Sequence, residues 1–177
     1  MKRVLLGCLA VLVMVGSSIR LVPAQEGTCR LLTPEEARKF LPDRVPMETE
    51  SIAVDSKTCV ALQFPDKTRI AVAALVNAGL SNEMRQKYQY VFISETRVRL
   101  DRWNIPAGMC GVALEPEKGS DAPARTLIVR DFLGAEVERP VLKLDPNAPD
   151  ARVSLTPKGP NGFELRFGKY VISGTQR

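Results

Sequence analysis

The sequence predicts a mainly β protein: an antiparallel β-sandwich or barrel with one short N-terminal helix. Two observations favour this fold class. From Cys59 onward, short runs of β-favouring residues alternate with clusters of Pro, Gly, Asp and Asn, which is typical of antiparallel sheets. Ahead of that point, the segment Thr33-Pro34-Glu35-Glu36 carries the clearest helix start. We expect roughly eight or nine strands after residue 58.

The first 24 residues have the pattern of a cleavable secretory signal peptide. A positively charged start precedes an apolar stretch over residues 4–16, and a polar, turn-prone stretch begins at Ser17. Small or β-branched residues at positions −3 and −1 favour cleavage after Ala24, with Ser18 as the alternative site. A retained membrane anchor is the competing interpretation, but a bilayer needs about 20 apolar residues and this stretch is interrupted. We therefore expect a secreted or periplasmic bacterial protein whose mature form does not span a membrane.

Removal of the signal peptide changes the charge of the protein. Residues 1–24 contain three basic residues and no acidic one, so cleavage lowers the formal net charge from +5 to +2. The best candidate for a basic patch is the group Arg97, Arg99 and Arg102, but the apolar residues Val98 and Leu100 alternate with the first two arginines. This spacing indicates a solvated strand face, and it gives no case for a nucleic-acid partner.

The chain divides into three segments on these patterns. They are a signal peptide over residues 1–24, an N-terminal extension with a short helix over residues 25–58, and the β domain over residues 59–177. A chain of about 150 residues can bury enough surface for one core. We therefore expect residues 25–177 to form one globular unit.

The predicted helix begins with a capping box. The Thr33 hydroxyl can accept a hydrogen bond from the Glu36 amide while the Glu36 carboxylate binds back, and Pro34 suits the first helical position. A second, shorter helical segment is expected after Ser81. Strands are expected over residues 59–64, 69–76, 88–94, 97–101, 109–115 and 125–130. After a turn, a strand is expected to return at Val137 and then over residues 141–144, and further strands are expected over residues 153–155 and 163–172.

Three cysteines remain after cleavage: Cys29, Cys59 and Cys110. An oxidising compartment favours one disulfide, and three pairings are open. We favour Cys29–Cys59, because Cys29 lies just ahead of the helix and Cys59 begins the next apolar run. Cys110 is then expected to be a small buried hydrophobic residue.

The absence of histidine from the sequence excludes several classes of chemistry. Ser-His-Asp and Cys-His catalysis and imidazole-based zinc sites all need this residue. The cysteines lack the close spacing of a thiolate metal site, and no Gly-rich phosphate loop precedes a helix. We therefore assign no catalytic residue, metal or cofactor. Catalysis by a pair of carboxylates that the fold brings together is an alternative that the sequence leaves open.

An aromatic platform is the candidate binding site in the sequence. Trp103 lies in a polar turn segment, and Tyr88 and Tyr90 lie in an aromatic strand. Together they could hold a sugar or a peptide. The alternative is that Trp103 covers one end of the sandwich.

Several short segments resemble an uncharacterised group of secreted bacterial β-rich proteins. That group is built around a hairpin of the pattern leucine or isoleucine, Pro-Ala-Gly, any residue, Tyr-Gly. The matching segments are Gln86-Lys87-Tyr88-Gln89, Ser94-Glu95, Ile105-Pro106-Ala107-Gly108, Gly111 and Phe167-Gly168-Lys169-Tyr170-Val171. The resemblance covers residues 50–172 and implies a small exported β-sandwich of unknown function. The sequence departs from the pattern at Cys110, where an aromatic residue is usual.

These observations predict a non-enzymatic binding or envelope-associated module, with a carbohydrate, a peptide or an envelope protein as partner. One alternative is a carboxylate-dependent hydrolase, which clustered acidic side chains in a deep cleft would favour. The other is an assembly subunit that pairs with a partner through an exposed edge strand.

Overall fold

The computed structural model describes residues 27–116, 125–148 and 153–177. The predicted signal peptide lies outside the described residues, as do residues 117–124. The helices are α1 (Pro34–Phe40) and α2 (Asn82–Lys87). The strands are β1 (Arg30–Leu31), β2 (Arg44–Met47), β3 (Glu50–Ala53), β4 (Val60–Gln63), β5 (Arg69–Ala74), β6 (Tyr90–Ser94), β7 (Val98–Leu100), β8 (Trp103–Ile105), β9 (Gly108–Pro116), β10 (Arg125–Arg130), β11 (Glu136–Glu138), β12 (Val141–Leu144), β13 (Ser154–Lys158), β14 (Gly162–Phe167) and β15 (Tyr170–Gln176).

The main sheet is antiparallel and nearly closed into a barrel, which confirms the predicted fold class. Its strands follow the order β1-β4-β5-β6-β9-β10-β12-β15-β14-β13. Three short strands branch from this path: β11 pairs with β10, and β7 pairs with both β15 and β8. The two ends of the path meet where the Cys29 thiol donates to the Pro160 carbonyl oxygen at 2.8 Å.

The barrel interior is filled by apolar side chains that alternate along each strand. Phe163, Leu165 and Phe167 of β14 point inward, while Glu164 and Arg166 between them face outward, as the period of two requires. The interior cluster comprises Cys29, Leu62, Phe64, Ile70, Val72, Phe92, Val98, Leu100, Ile105, Cys110, Val112, Leu127, Val129, Leu142, Val153, Leu155, Phe163, Leu165, Phe167 and Ile172.

A second layer covers the outer face of one half of the barrel. Helix α1, the β2–β3 hairpin and α2 pack over β4, β5, β6 and β9 around a separate apolar cluster. The small side chains of Ala61, Ala71 and Ala73 face this layer and let it approach closely. The outer faces of β13, β14 and β15 lie outside this cluster.

Helix α1 begins as the sequence predicts. The Thr33 hydroxyl accepts from the Glu36 amide at 3.3 Å, and the Glu36 carboxylate accepts from the Thr33 amide at 2.9 Å. The Arg30 guanidinium also binds Glu36, and these bonds lower the pKa of its carboxyl to about 2. The short helix predicted after Ser81 is α2, whose Ser81 hydroxyl accepts from the Met84 amide.

The predicted Cys29–Cys59 disulfide is wrong, because all three described cysteines are free thiols. The pairing of Arg30 with Gln63 places Cys29 opposite Phe64, five residues along the strand from Cys59. At 3.3 Å per residue this separation is about 16 Å, whereas a disulfide joins Cα atoms within about 7 Å. The two side chains also belong to opposite faces of the sheet.

Cys110 is buried in the barrel interior, as the sequence predicts for a small hydrophobic residue. Its burial raises the pKa of the thiol to about 11. Within the described part of the chain, no helix is long and apolar enough to cross a membrane.

Candidate functional site

Tyr88 is buried beneath the outer layer and serves as a structural residue. Its hydroxyl donates to Glu48 Oε1 at 2.9 Å, and burial raises the pKa of the phenol above its ordinary value. Gly111 makes room for the ring, since a Cβ there would lie 2.6 Å from Tyr88 Cε1. Tyr88 therefore presents no surface to a ligand.

The structure does not bring the three predicted aromatic residues together. The Tyr90 ring packs edge-on against Phe167 with 4.9 Å between centroids, on the interior side of the sheet. Trp103 is half-buried on β8, with the Arg102 guanidinium 5.2 Å from its ring centroid. Tyr88 and Tyr90 thus lie on opposite faces of the sheet, and Trp103 lies on the separate β7–β8 hairpin.

A different site lies where the short strands branch from the barrel. The β7–β8 hairpin is attached to β15, β11 is attached to β10, and a cleft of about 780 Å³ opens beside β8 and β11. Its described lining is Thr96, Arg97, Asn104, Ile105, Pro106, Val137 and Arg177. We call this the β8–β11 cleft.

Apolar side chains form part of the β8–β11 cleft. Ile105 is buried and belongs to the interior cluster. Val137 is the extra residue of a bulge, because the register shifts from Val129 opposite Glu138 to Arg130 opposite Glu136. Bulges of this kind redirect a side chain out of the regular alternation. The cleft therefore contains hydrocarbon next to its polar groups.

Two arginines lie side by side at the β8–β11 cleft. The Arg177 amide donates to the Arg97 carbonyl oxygen at 3.0 Å, which makes the two residues neighbours just beyond the paired ends of β15 and β7. The Thr96 hydroxyl donates to the Arg177 carbonyl oxygen at 3.3 Å. Arg99 follows on the same outer face, because Val98 between them is buried.

These three arginines, Arg97, Arg99 and Arg177, have no ionic partner within the described residues, as is also true of Arg38, Arg44, Arg85, Arg102 and Arg125. The arginines that do form ion pairs are Arg30, Arg69, Arg130, Arg139 and Arg166. A guanidinium without an internal partner keeps all of its donors for an external anion.

Carboxylates occur together in a smaller cleft. Asp101 and Glu164 both line a space of about 110 Å³ with Lys143. Glu164 accepts from the Arg166 guanidinium at 2.7 Å, which engages it in a structural ion pair. This space is well below the several hundred Å³ typical of ligand pockets. Among the described residues, no group of three or more acidic or cysteine side chains is placed to hold a metal ion.

No family model, curated protein or solved structure matches this chain. The resemblance to secreted bacterial β-rich proteins therefore stays a prediction.

Sequence reasoning found only part of the β8–β11 cleft. It noticed Arg97 and Arg99 but interpreted them as an ordinary solvated strand face. Arg177 is 80 residues away from Arg97 in the sequence, and only the pairing of β7 with β15 brings them together. Val137 was expected only as a strand residue, and the bulge that brings it to the cleft cannot be recognised from a strand of three residues. The one available signal was the pair of arginines at alternating positions.

Proposed function

We propose that this chain is an exported, non-enzymatic binding module that holds anionic ligands in the β8–β11 cleft. The observation that carries the proposal is the adjacent pair Arg97 and Arg177, which have no acidic partner among the described residues. A carboxylate, sulfate or phosphate group would supply that partner through charge-assisted hydrogen bonds.

The setting of the two arginines supports binding. Both are anchored to adjoining strands by the backbone bond between Arg177 and Arg97, so their Cα atoms are held in fixed relation. The side-chain amide of Asn104 adds a neutral hydrogen-bond donor beside them, while the Thr96 hydroxyl helps to hold Arg177 by donating to its carbonyl oxygen. The cleft volume of about 780 Å³ is in the range of small-ligand sites.

The chemistry of the lining favours binding over reaction. The guanidinium, amide, hydroxyl and hydrocarbon groups of the described lining are not among the side chains that usually act as general acids or bases. The thiols of Cys59 and Cys110 stay protonated near neutral pH, because burial raises the pKa of each to about 11. The side chains that line the β8–β11 cleft are therefore better suited to binding a ligand than to catalysis.

An NMR titration with citrate tests the proposal. Citrate carries up to three carboxylates and no reactive group, and its binding should shift the backbone amide signals of Arg97, Asn104 and Val137 in a saturable way. The variant R97Q/R177Q should lose these shifts, while R38Q should keep them. Arg38 is a matched control because it is exposed on α1 and forms no ion pair in the described part of the chain.

Saturable shifts confined to another surface, or an equal response of R97Q/R177Q, would contradict the proposed site. The export half of the proposal has its own test. N-terminal sequencing of the protein recovered outside the cytoplasm should begin at Gln25, or at Ile19 if the alternative site is used. Recovery of the intact N-terminus there would contradict cleavage.

A further inference from the structure

The outer surface of the barrel is divided into two unlike halves. Over β4, β5, β6 and β9 it is covered by the second layer, and its alanines are buried. Over β7, β13, β14 and β15 most outward positions carry polar side chains that are exposed or half-buried, and Val171 and Gly162 are the exceptions in the described ranges. This second half is continuous with the β8–β11 cleft, because Arg97 and Arg177 belong to both.

One row of residues crosses this uncovered half from strand to strand. The strand registers place Asn104 beside Arg99, Arg99 beside Thr175, Thr175 beside Gly162, and Gly162 beside Lys158. We call these five residues the basic row. With strands about 4.8 Å apart, the row is about 19 Å long.

The basic row has small residues at its centre, Gly162 and Thr175, and a cationic residue on each side of them, Arg99 and Lys158. Gly162 has no side chain and Thr175 has a short one, so no long side chain lies between Arg99 and Lys158. Three strand spacings separate these two cations, which is about 14 Å. Lys158 is 58% exposed, and its ammonium is 3.8 Å from the Glu164 carboxylate, the long end of ion-pair distance. Both cations are therefore accessible to a ligand that lies across the strands.

Hydroxyl groups lie within the basic row and on one side of it. Ser154, Thr156, Ser173 and Thr175 occupy outward positions of β13 and β15, and their side chains form no hydrogen bond within the part of the chain that the structure describes. Such groups can both donate to and accept from the hydroxyls of a ligand. Two cations about 14 Å apart, with hydroxyls between and beside them, match a chain of sugars that carries acidic groups at intervals.

The same surface is less suited to a single-stranded nucleic acid. Nucleic-acid grooves combine a basic track with aromatic side chains on which bases stack. The outward positions of β7, β13, β14 and β15 in the described ranges carry no aromatic residue, since Phe163, Phe167 and Tyr170 pack on the interior side of the sheet.

We infer that the ligand is an acidic polysaccharide, with one acidic sugar in the β8–β11 cleft and the following sugars lying along the basic row. The inference rests on the proposed function, since the cleft anchors one end of the polymer. It adds the ligand class and the path that the ligand takes.

The test measures affinity by isothermal titration calorimetry for oligogalacturonates from the monomer to the octamer, with citrate as the probe of the cleft alone. Affinity should rise by at least about tenfold from monomer to octamer. The charge reversal K158E should remove most of this gain and leave citrate affinity unchanged. The control K39E reverses an exposed lysine of α1, outside the basic row, and should bind the octamer like the wild type.

The outcomes separate the two proposals. If citrate binds but the octamer binds no tighter than the monomer, the polysaccharide inference fails and the anion-binding function stands. If neither citrate nor any oligogalacturonate binds, both fail. If K158E keeps the full length dependence, the path along the basic row is wrong. If a 16-residue oligothymidylate binds as tightly as the octamer and is equally sensitive to K158E, the partner is a nucleic acid and the inference is overturned.

Discussion

Replacing Tyr88 with Phe should destabilise the protein at neutral pH, and this penalty should shrink at alkaline pH. The Tyr88 hydroxyl donates to the Glu48 carboxylate at 2.9 Å, beneath the outer layer. A hydrogen bond to a charged group contributes about 1.5–3 kcal/mol. We expect the lower end of this range for Y88F at pH 7.5, because the Glu48 side chain is 28% exposed and water can replace the lost donor.

The pH dependence follows from the pKa of the same phenol. Burial, and then the bond to Glu48, raise the pKa of Tyr88 above its ordinary value of 10.0. The native state therefore keeps the proton at a pH where the unfolded chain releases it. The contribution of the protonated phenol is fully present below pH 10 and falls as the pH rises further, by about 1.4 kcal/mol per pH unit.

Urea unfolding of wild type and Y88F between pH 8 and pH 11 measures this effect. The stability advantage of the wild type over Y88F should decrease by about 1.4 kcal/mol between pH 9 and pH 11. The thiols of Cys59 and Cys110 titrate in the same range, but they occur in both proteins and cancel in the difference. An advantage that stays constant over this range would refute the buried, carboxylate-bound position of the phenol.

Two further predictions concern the packing and the cysteines. G111A should lower the free energy of unfolding by about 1–3 kcal/mol, because its Cβ would overlap the Tyr88 ring; thermal or urea unfolding measures the loss, and wild-type stability would contradict the tight contact. A thiol assay in denaturant without reductant should detect Cys29, Cys59 and Cys110 as three free thiols in the mature protein. Detection of a single free thiol would show that the other two cysteines form a disulfide.

Local patterns in the sequence were sufficient for much of the fold. The capping box at Thr33 gives α1, and the strict alternation around Leu165 gives β14. The β2–β3 hairpin was not predicted, because Pro46 in a strand of four residues resembles a loop. The described residues after 58 form twelve strands where roughly eight or nine were expected, since β7, β8 and β11 have three residues each.

The candidate site depended on information that local patterns lack. The predicted Cys29–Cys59 disulfide followed from the order of elements along the chain, but bonding is decided by strand register and by the face of the sheet. The same limit applies to Arg177, whose neighbour Arg97 comes from a distant strand. Composition predicted a nearly neutral surface, and only the folded arrangement shows which cations have acidic partners.

The affinity of R97Q/R177Q for citrate, measured by calorimetry at low ionic strength, tests the central claim most directly. Each charge-assisted hydrogen bond contributes about 1.5–3 kcal/mol, which corresponds to at least about a tenfold change in affinity for each arginine removed. We predict that R97Q/R177Q binds citrate at least about a hundredfold more weakly than the wild type, while R38Q binds it equally well. Equal affinity of the wild type and R97Q/R177Q would contradict an anion site at the β8–β11 cleft.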